Sequence, residues 1–218
     1  MAPPGCPDWS QRESADKLPC VVLGMAEFHR FIFKNAKHYV IDHGDIKTWH
    51  GKIFAAVVPL DYYAGNYRSA DPGKRCLATD VIVGPNPGAP YVQVPNLMKE
   101  FSDKLSSLVV ETARYCRHGS VSGLQRTRAV AQLVTFAVGN LLRIHPFING
   151  NGRMSRLVAN YLLHRFGYPL LHPHPYDRPV DQEYAPAAEA CMRNDLRPMF
   201  RFILICMAQA SPSSSALP

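Results

Sequence analysis

The sequence predicts an all-α domain, on two apolar stripes at helical spacing and a glycine-rich turn that separates them. In the first stripe Val130, Leu133, Val134, Ala137, Leu141 and Leu142 recur every three or four residues, which places them on one face of a helix. In the second, Leu157, Val158, Tyr161 and Leu162 do the same, and Gly167 followed by Pro169 supplies a stop. The run His145 to Arg156 lies between them and is expected to be a loop held by two buried helices. One β element is expected: Thr79 to Val94 has two β-leaning runs around a Pro/Gly turn and reads as a hairpin, its pairing limited by Pro85, Pro87 and Pro90.

Length and composition bound the rest. A chain of 218 residues, 47% hydrophobic and 19% charged, can bury a full core as one domain. Residues 1–20 show little periodicity and residues 208–218 end in a Ser/Pro-rich tail, so both ends are expected to be flexible around a domain at 21–207. No repeat and no membrane-length apolar run is visible, and no basic region precedes an apolar stretch at the N-terminus. The expectation is a cytoplasmic protein with no membrane partner. The cysteines at 6, 20, 76, 116, 191 and 206 show no C-x-x-C spacing and read as reduced thiols, several of them in the core. His172 and His174 read as part of a proline-stiffened loop before a metal pair. The net charge of +7 favours acidic partners in general. Its positive residues are dispersed, however, and the densest group, Arg114, Arg117, Arg126 and Arg128, belongs to no nucleic-acid module, so nucleic acid is not the expected partner. That group reads as a solvated face or a loop near phosphates.

The twelve residues from His145 to Arg156 carry the chemistry. His145 exchanges a proton near neutral pH. Gly150 and Gly152 allow a tight turn, so N–H groups around Asn151 can converge on an anion, and a helix starting here adds its unpaired amides. Arg153 and Arg156 lie three apart, on one helical face, where forked guanidinium groups can hold one polyphosphate.

These residues resemble the motif of the Fic family: His-Pro-Phe, any residue, an acidic residue, Gly-Asn-Gly-Arg, two residues, Arg. His145, Pro146, Phe147, Gly150, Asn151, Gly152, Arg153 and Arg156 match it by identity. Outside the motif, Trp49 to Arg68, with its Ala64-Gly65-Asn66-Tyr67-Arg68 ending, resembles the family's upstream helix, and Asn194-Asp195 with Met199 to Ile205 its last helix. The resemblance covers about residues 21 to 207 and implies a Fic-type helical bundle of seven or eight helices with a small β-hairpin flap.

The function it implies is transfer of AMP, or a related phosphate-bearing group, from ATP to a Ser, Thr or Tyr hydroxyl of a protein. By resemblance His145 is the general base, Phe147 anchors the loop, and Gly150, Asn151, Gly152, Arg153 and Arg156 cradle phosphate. The target protein is expected along the flap near residues 79–94, by strand addition. One position departs from the pattern: Asn149 stands where the family carries the carboxylate that holds Mg²⁺. A carboxamide oxygen brings no charge to a hard cation, so Asn149 is expected to be a weak metal ligand. This leaves weaker metal use, another donor, hydrolysis, or binding without turnover as alternatives. Arg68 is expected either at the site or as a brace for a helix end. The family's inhibitory Ser/Thr-x-x-x-Glu-Gly/Asn helix has no match. Ser107 to Glu111 has the spacing but is followed by Thr112, so a separate inhibitor protein is one expectation and no restraint the other. Delivery to another cell as an effector is compatible with the resemblance.

Overall fold

A computed structural model describes residues 3–9, 17–168, 171 and 183–209. Among the described residues are seven α-helices and one hairpin. In order they are α1 (Leu18–Asn35), α2 (His43–Phe54), β1 (Ile82–Val83), β2 (Asn86–Pro87), α3 (Val94–Arg117), α4 (Gly123–Ile144), α5 (Asn151–Arg165), α6 (Tyr184–Met192) and α7 (Arg197–Gln209). Pro169, His172, His174 and residues 211–218 lie outside the described residues.

Helix α4 is the axis of the bundle and packs on α3, α5, α6 and α7. The predicted stripe is buried in full, and Ala131, Val138 and Gly139 extend the apolar surface round the helix, which is why it has neighbours on every side. Gly139 permits the closest of these approaches: a Cβ there would come within 2.3 Å of Leu196 Cδ2. The start of α4 is fixed by reciprocal bonds. The Ser122 hydroxyl accepts the Gln125 N–H at 3.3 Å while the Gln125 carboxamide accepts the Ser122 N–H at 2.8 Å. Asp42 and Asp45 start α2 in the same way. In α5 the predicted apolar residues are buried, and Gly167 at φ +78° ends the helix region as expected.

The hairpin is smaller than the sequence suggests. Ile82 pairs with Pro87 and Val83 with Asn86, and Gly84 at φ +59° makes the turn. One further bond, from the Gly88 N–H to Val81 O at 2.9 Å, follows the two pairs.

Two expectations are corrected. Residues 3–9 are not loose: Trp9 is only 7% exposed, set against the rings of His50, Phe54 and Tyr63, and the Tyr63 hydroxyl donates to Pro7 O at 3.0 Å. One indole buries enough apolar surface to hold a short strap. Nor are all cysteines reduced. Cys6 and Cys76 form a disulfide across 70 residues, with Cα atoms 5.5 Å apart, while Cys20, Cys116, Cys191 and Cys206 carry none. The pair is invisible in the spacing because the fold alone brings the strap to the turn Pro72–Leu77.

The arginines at 114, 117, 126 and 128 are exposed around the α3–α4 connection. Arg128 precedes His145 by seventeen helical residues, about 25 Å along α4. They are a solvated face and not a loop near the motif. Ser107 and Glu111 are exposed on α3. No helix is long and apolar enough to cross a membrane among the described residues.

Candidate active site

His145 ends α4 as its C-cap, in the left-handed region at φ 52°, ψ 59°. A non-glycine residue there needs support, and Arg68 provides it. Its Nε donates to His145 O at 2.8 Å, its Nη2 to Ile144 O at 2.9 Å and Ala89 O at 2.8 Å, and its Nη1 to Thr79 O at 3.0 Å. The Arg68 N–H reaches Pro146 O at 2.8 Å. Arg68 has no exposed surface. Burial lowers its pKa to about 10, against the opposing pull of Asp80 at 3.8 Å, so it stays charged at neutral pH. Arg68 is therefore the brace of the two roles expected for it. It welds the flap to the motif, and Gly88 lets the two backbones meet: a Cβ there would lie 2.9 Å from His145 Cβ.

The His145 ring is held as one neutral tautomer. Its Nδ1 lies 3.2 Å from Leu142 O, and a carbonyl only accepts, so the proton belongs on Nδ1 and the lone pair on Nε2. Burial lowers the pKa to about 4, with the positive charge of Arg68 acting the same way and the Leu142 contact against it. At neutral pH the ring is uncharged and able to take a proton.

The loop beyond His145 is clamped from inside. Phe147 is fully buried and stacks on His50 with centroids 3.7 Å apart and planes 7° apart. The Asn151 side chain accepts the Phe147 N–H and donates to Phe147 O, both at 2.9 Å. The buried carboxamide of Asn151 thus pins the loop, and the group Asn151 turns to an anion is its backbone N–H. Gly150, at φ +82°, is the N-cap of α5, with Phe54 Cε2 only 2.7 Å from where a Cβ would stand. Here glycine is required twice, by conformation and by space.

His50 is the residue the sequence reading missed. Its Nδ1 accepts the Gly65 N–H at 3.0 Å, so its proton sits on Nε2, which faces Asn149 O at 3.1 Å. Burial lowers its pKa to about 3. As a neutral ring it ties α2, the Gly65 turn and the motif together. The available signal was its place beside Trp49, between Ile46 and Ile53, on the buried face of α2.

The first turn of α5 forms the anion end of the site. The N–H groups of Asn151, Gly152 and Arg153 precede the first intrahelical bond, Met154 N–H to Gly150 O, and the N-cap, Gly150, has no side chain to cap them. Gly152 is helical and not part of the turn; without a Cβ it leaves the approach open beside Arg156, whose Nη1 is 3.5 Å from where that carbon would be. The Arg153 guanidinium lies over the Phe54 ring, 4.7 Å from its centroid. Arg156 is buried. The motif thus brings together a neutral imidazole, a helix N-terminus and two guanidinium groups.

Asn149 does not fit its expected place as a metal ligand. Its Oδ1 accepts the Gly150 N–H at 2.6 Å and its Nδ2 donates to Trp9 O at 2.8 Å. The carboxamide is oriented by backbone partners and brings no charge. Among the described residues no group of three or more His, Cys, Asp and Glu side chains is placed to hold a metal ion. The described residues thus bring no cluster of charged ligands to Asn149.

Comparison with known proteins agrees with this arrangement. The model of the Fic/DOC family matches residues 40–163. A protein adenylyltransferase Fic of Nematostella vectensis is 30% identical over 190 residues, covering 85% of this chain and 37% of that protein. One of Drosophila erecta is 44% identical over 168 residues, covering 74% of this chain and 27% of that protein. The chain therefore spans about a third of the length of these curated relatives. Among solved structures, a Fic domain containing signaling protein from Bacteroides thetaiotaomicron shares the fold, with TM-score 0.64, 20% identity, and coverage of 92% of this chain and 72% of that one.

Proposed function

Starting from the fact that the chain belongs to the Fic/DOC family, we propose that it is a nucleotidyltransferase that moves AMP from ATP onto a protein hydroxyl. The observation that carries this is the juxtaposition, within one motif, of an imidazole base and an anion-binding helix start. A Ser, Thr or Tyr hydroxyl gives its proton to His145 Nε2 as its oxygen forms the bond to the α-phosphorus. The bond from that phosphorus to the bridging oxygen breaks, and pyrophosphate leaves. Negative charge grows on the equatorial oxygens and the leaving group, where Arg153, Arg156 and the first amides of α5 oppose it without having to move. Because Asn149 is not a carboxylate, no step is assigned to a metal ion.

The target hydroxyl reaches His145 along the flap. Ile82 and Val83 are 71% and 40% exposed, and as one edge of a short hairpin they can take an extended segment of the target by main-chain pairing. A separate inhibitor protein that lends a carboxylate to Arg156 belongs to the same reading. The second reading, nucleotide binding without turnover, is favoured by one observation: the neutral carboxamide at 149.

The test is incubation with each α-labelled nucleoside triphosphate, with and without Mg²⁺ or Mn²⁺, beside His145→Ala. Label on the protein or on added lysate that vanishes in the variant supports transfer and names the donor. If no donor gives label even after Asn149→Asp, binding without turnover replaces transfer.

A further inference from the structure

The strap of residues 3–9 bears on the motif once directly and twice through rings of α2. Trp9 O accepts the Asn149 Nδ2 proton at 2.8 Å. The Trp9 ring meets His50, edge-on at 5.9 Å, and His50 holds Asn149 O. The same ring meets Phe54, edge-on at 5.7 Å, and Phe54 lies beneath the Arg153 guanidinium. At its other end the strap is fastened by the Cys6–Cys76 disulfide.

We infer that this strap is a positioning part of the phosphate-binding loop, with Trp9 and Asn149 as its positioning residues and the Cys6–Cys76 bond as a latch that a dithiol reductant opens. The chemistry at 149 fits the idea. Only a group with a proton to give can face Trp9 O, and a carboxylate has none. The departure from the acidic residue of the motif thus exchanges a cation ligand for an anchor. Opening the latch adds two electrons and two protons to the bond between Cys6 and Cys76, giving two thiols while the dithiol becomes a disulfide. Such bonds persist in oxidising surroundings and are lost in reducing ones, so the state of the strap follows the surroundings. Opening the bond removes the strap's only covalent tie among the described contacts, and when the strap leaves, Asn149 loses its Trp9 acceptor and Phe54 one of the rings that fix it.

This inference rests on the reading of the loop as a nucleotide site, so its test needs a readout independent of binding. The full chain would be compared oxidised, with four thiols by titration, and reduced by dithiothreitol, with six, following ¹H–¹⁵N signals of the Gly150 and Arg153 amides, the Asn149 carboxamide and the Trp9 indole. The probe for binding is a non-hydrolysable ATP analogue. Reduction is expected to move all four signals and to weaken the analogue by at least about fivefold, the effect of losing one or two hydrogen bonds. Asn149→Asp in the oxidised chain, which keeps the latch, is expected to shift the Gly150 and Trp9 signals in the same direction. Loop signals that move while neither form binds the analogue would support the strap and count against the nucleotide reading. Loop signals that stay put in both the reduced chain and Asn149→Asp would overturn the inference.

Discussion

Replacing Arg68 by methionine tests how the flap and the motif are joined. Methionine keeps much of the length of arginine and supplies no donor. Four carbonyls lose a charged donor, those of Thr79, Ala89, Ile144 and His145; Ile144 O keeps the Ala89 N–H at 3.2 Å. Each buried carbonyl left without that donor costs about 1–3 kcal/mol. Removing a desolvated guanidinium returns part of this, which leaves a loss of about 4 kcal/mol. For a domain of this size each kcal/mol lowers Tm by about 2–4 °C, so a fall of about 8–16 °C is expected in calorimetry. Arg68→Lys restores charge but not the fork that reaches four acceptors, and it should recover less than half of the loss. A fall below about 3 °C for the methionine variant would refute the brace, since three buried acceptors cannot be orphaned so cheaply.

Other outcomes follow from the same geometry. His145→Ala should cut label transfer by about 10²–10⁴-fold with the helical circular dichroism unchanged; retained transfer would move the base elsewhere. Gly150→Ala should destabilise by about 2–5 kcal/mol, from the left-handed backbone and the collision with Phe54, seen as a lower urea midpoint; a wild-type midpoint would mean the turn can relax. His50 and His145 hold pKa values of about 3 and about 4 in the folded chain, below the roughly 6.5 of free histidine. The unfolded chain therefore binds more protons between those values. Stability should be fully present above about pH 6.5 and fall on acidification toward pH 4, by up to about 1.4 kcal/mol per pH unit for each ring. Urea midpoints that do not change between pH 7 and pH 4.5, or that slope equally in His50→Phe, would contradict this. Cys6→Ser with Cys76→Ser should lose up to about 4 kcal/mol, the loop-closure entropy of 70 residues, and Tm in reductant should then match that of the wild type.

Much of the bundle was legible because its signal is local. The stripes of α4 and α5 repeat every three or four residues, and each residue named in them is buried. The hairpin was legible from its turn, though it is shorter than its two β-leaning runs. The motif gave His145, Gly150 and the two arginines because their chemistry is carried by residue type. What was not legible depends on distance through space. Nothing within reach of Cys6 in the chain points to Cys76, and Trp9 looks like an apolar residue in a loose segment until Phe54 and Tyr63 surround it. The second task of Asn151 was hidden for a different reason: a carboxamide serves a phosphate and a backbone equally well, and only the fold shows that both its ends face Phe147. His50 was hidden on a face that reads as plain core.

The site lies where one helix ends and the next begins. Helix α4 stops at Ile144, and α5 begins at Asn151. Carbonyl oxygens gather at the first end and amide hydrogens at the second, so the six residues between them span a standing electric field. In the proposed reaction a proton arriving on the imidazole moves toward the negative end of one helix while the pyrophosphate charge develops at the positive end of the other. The backbone then favours the separation of charge that such a transfer requires, in a direction set by the order of the two helices before any side chain contributes.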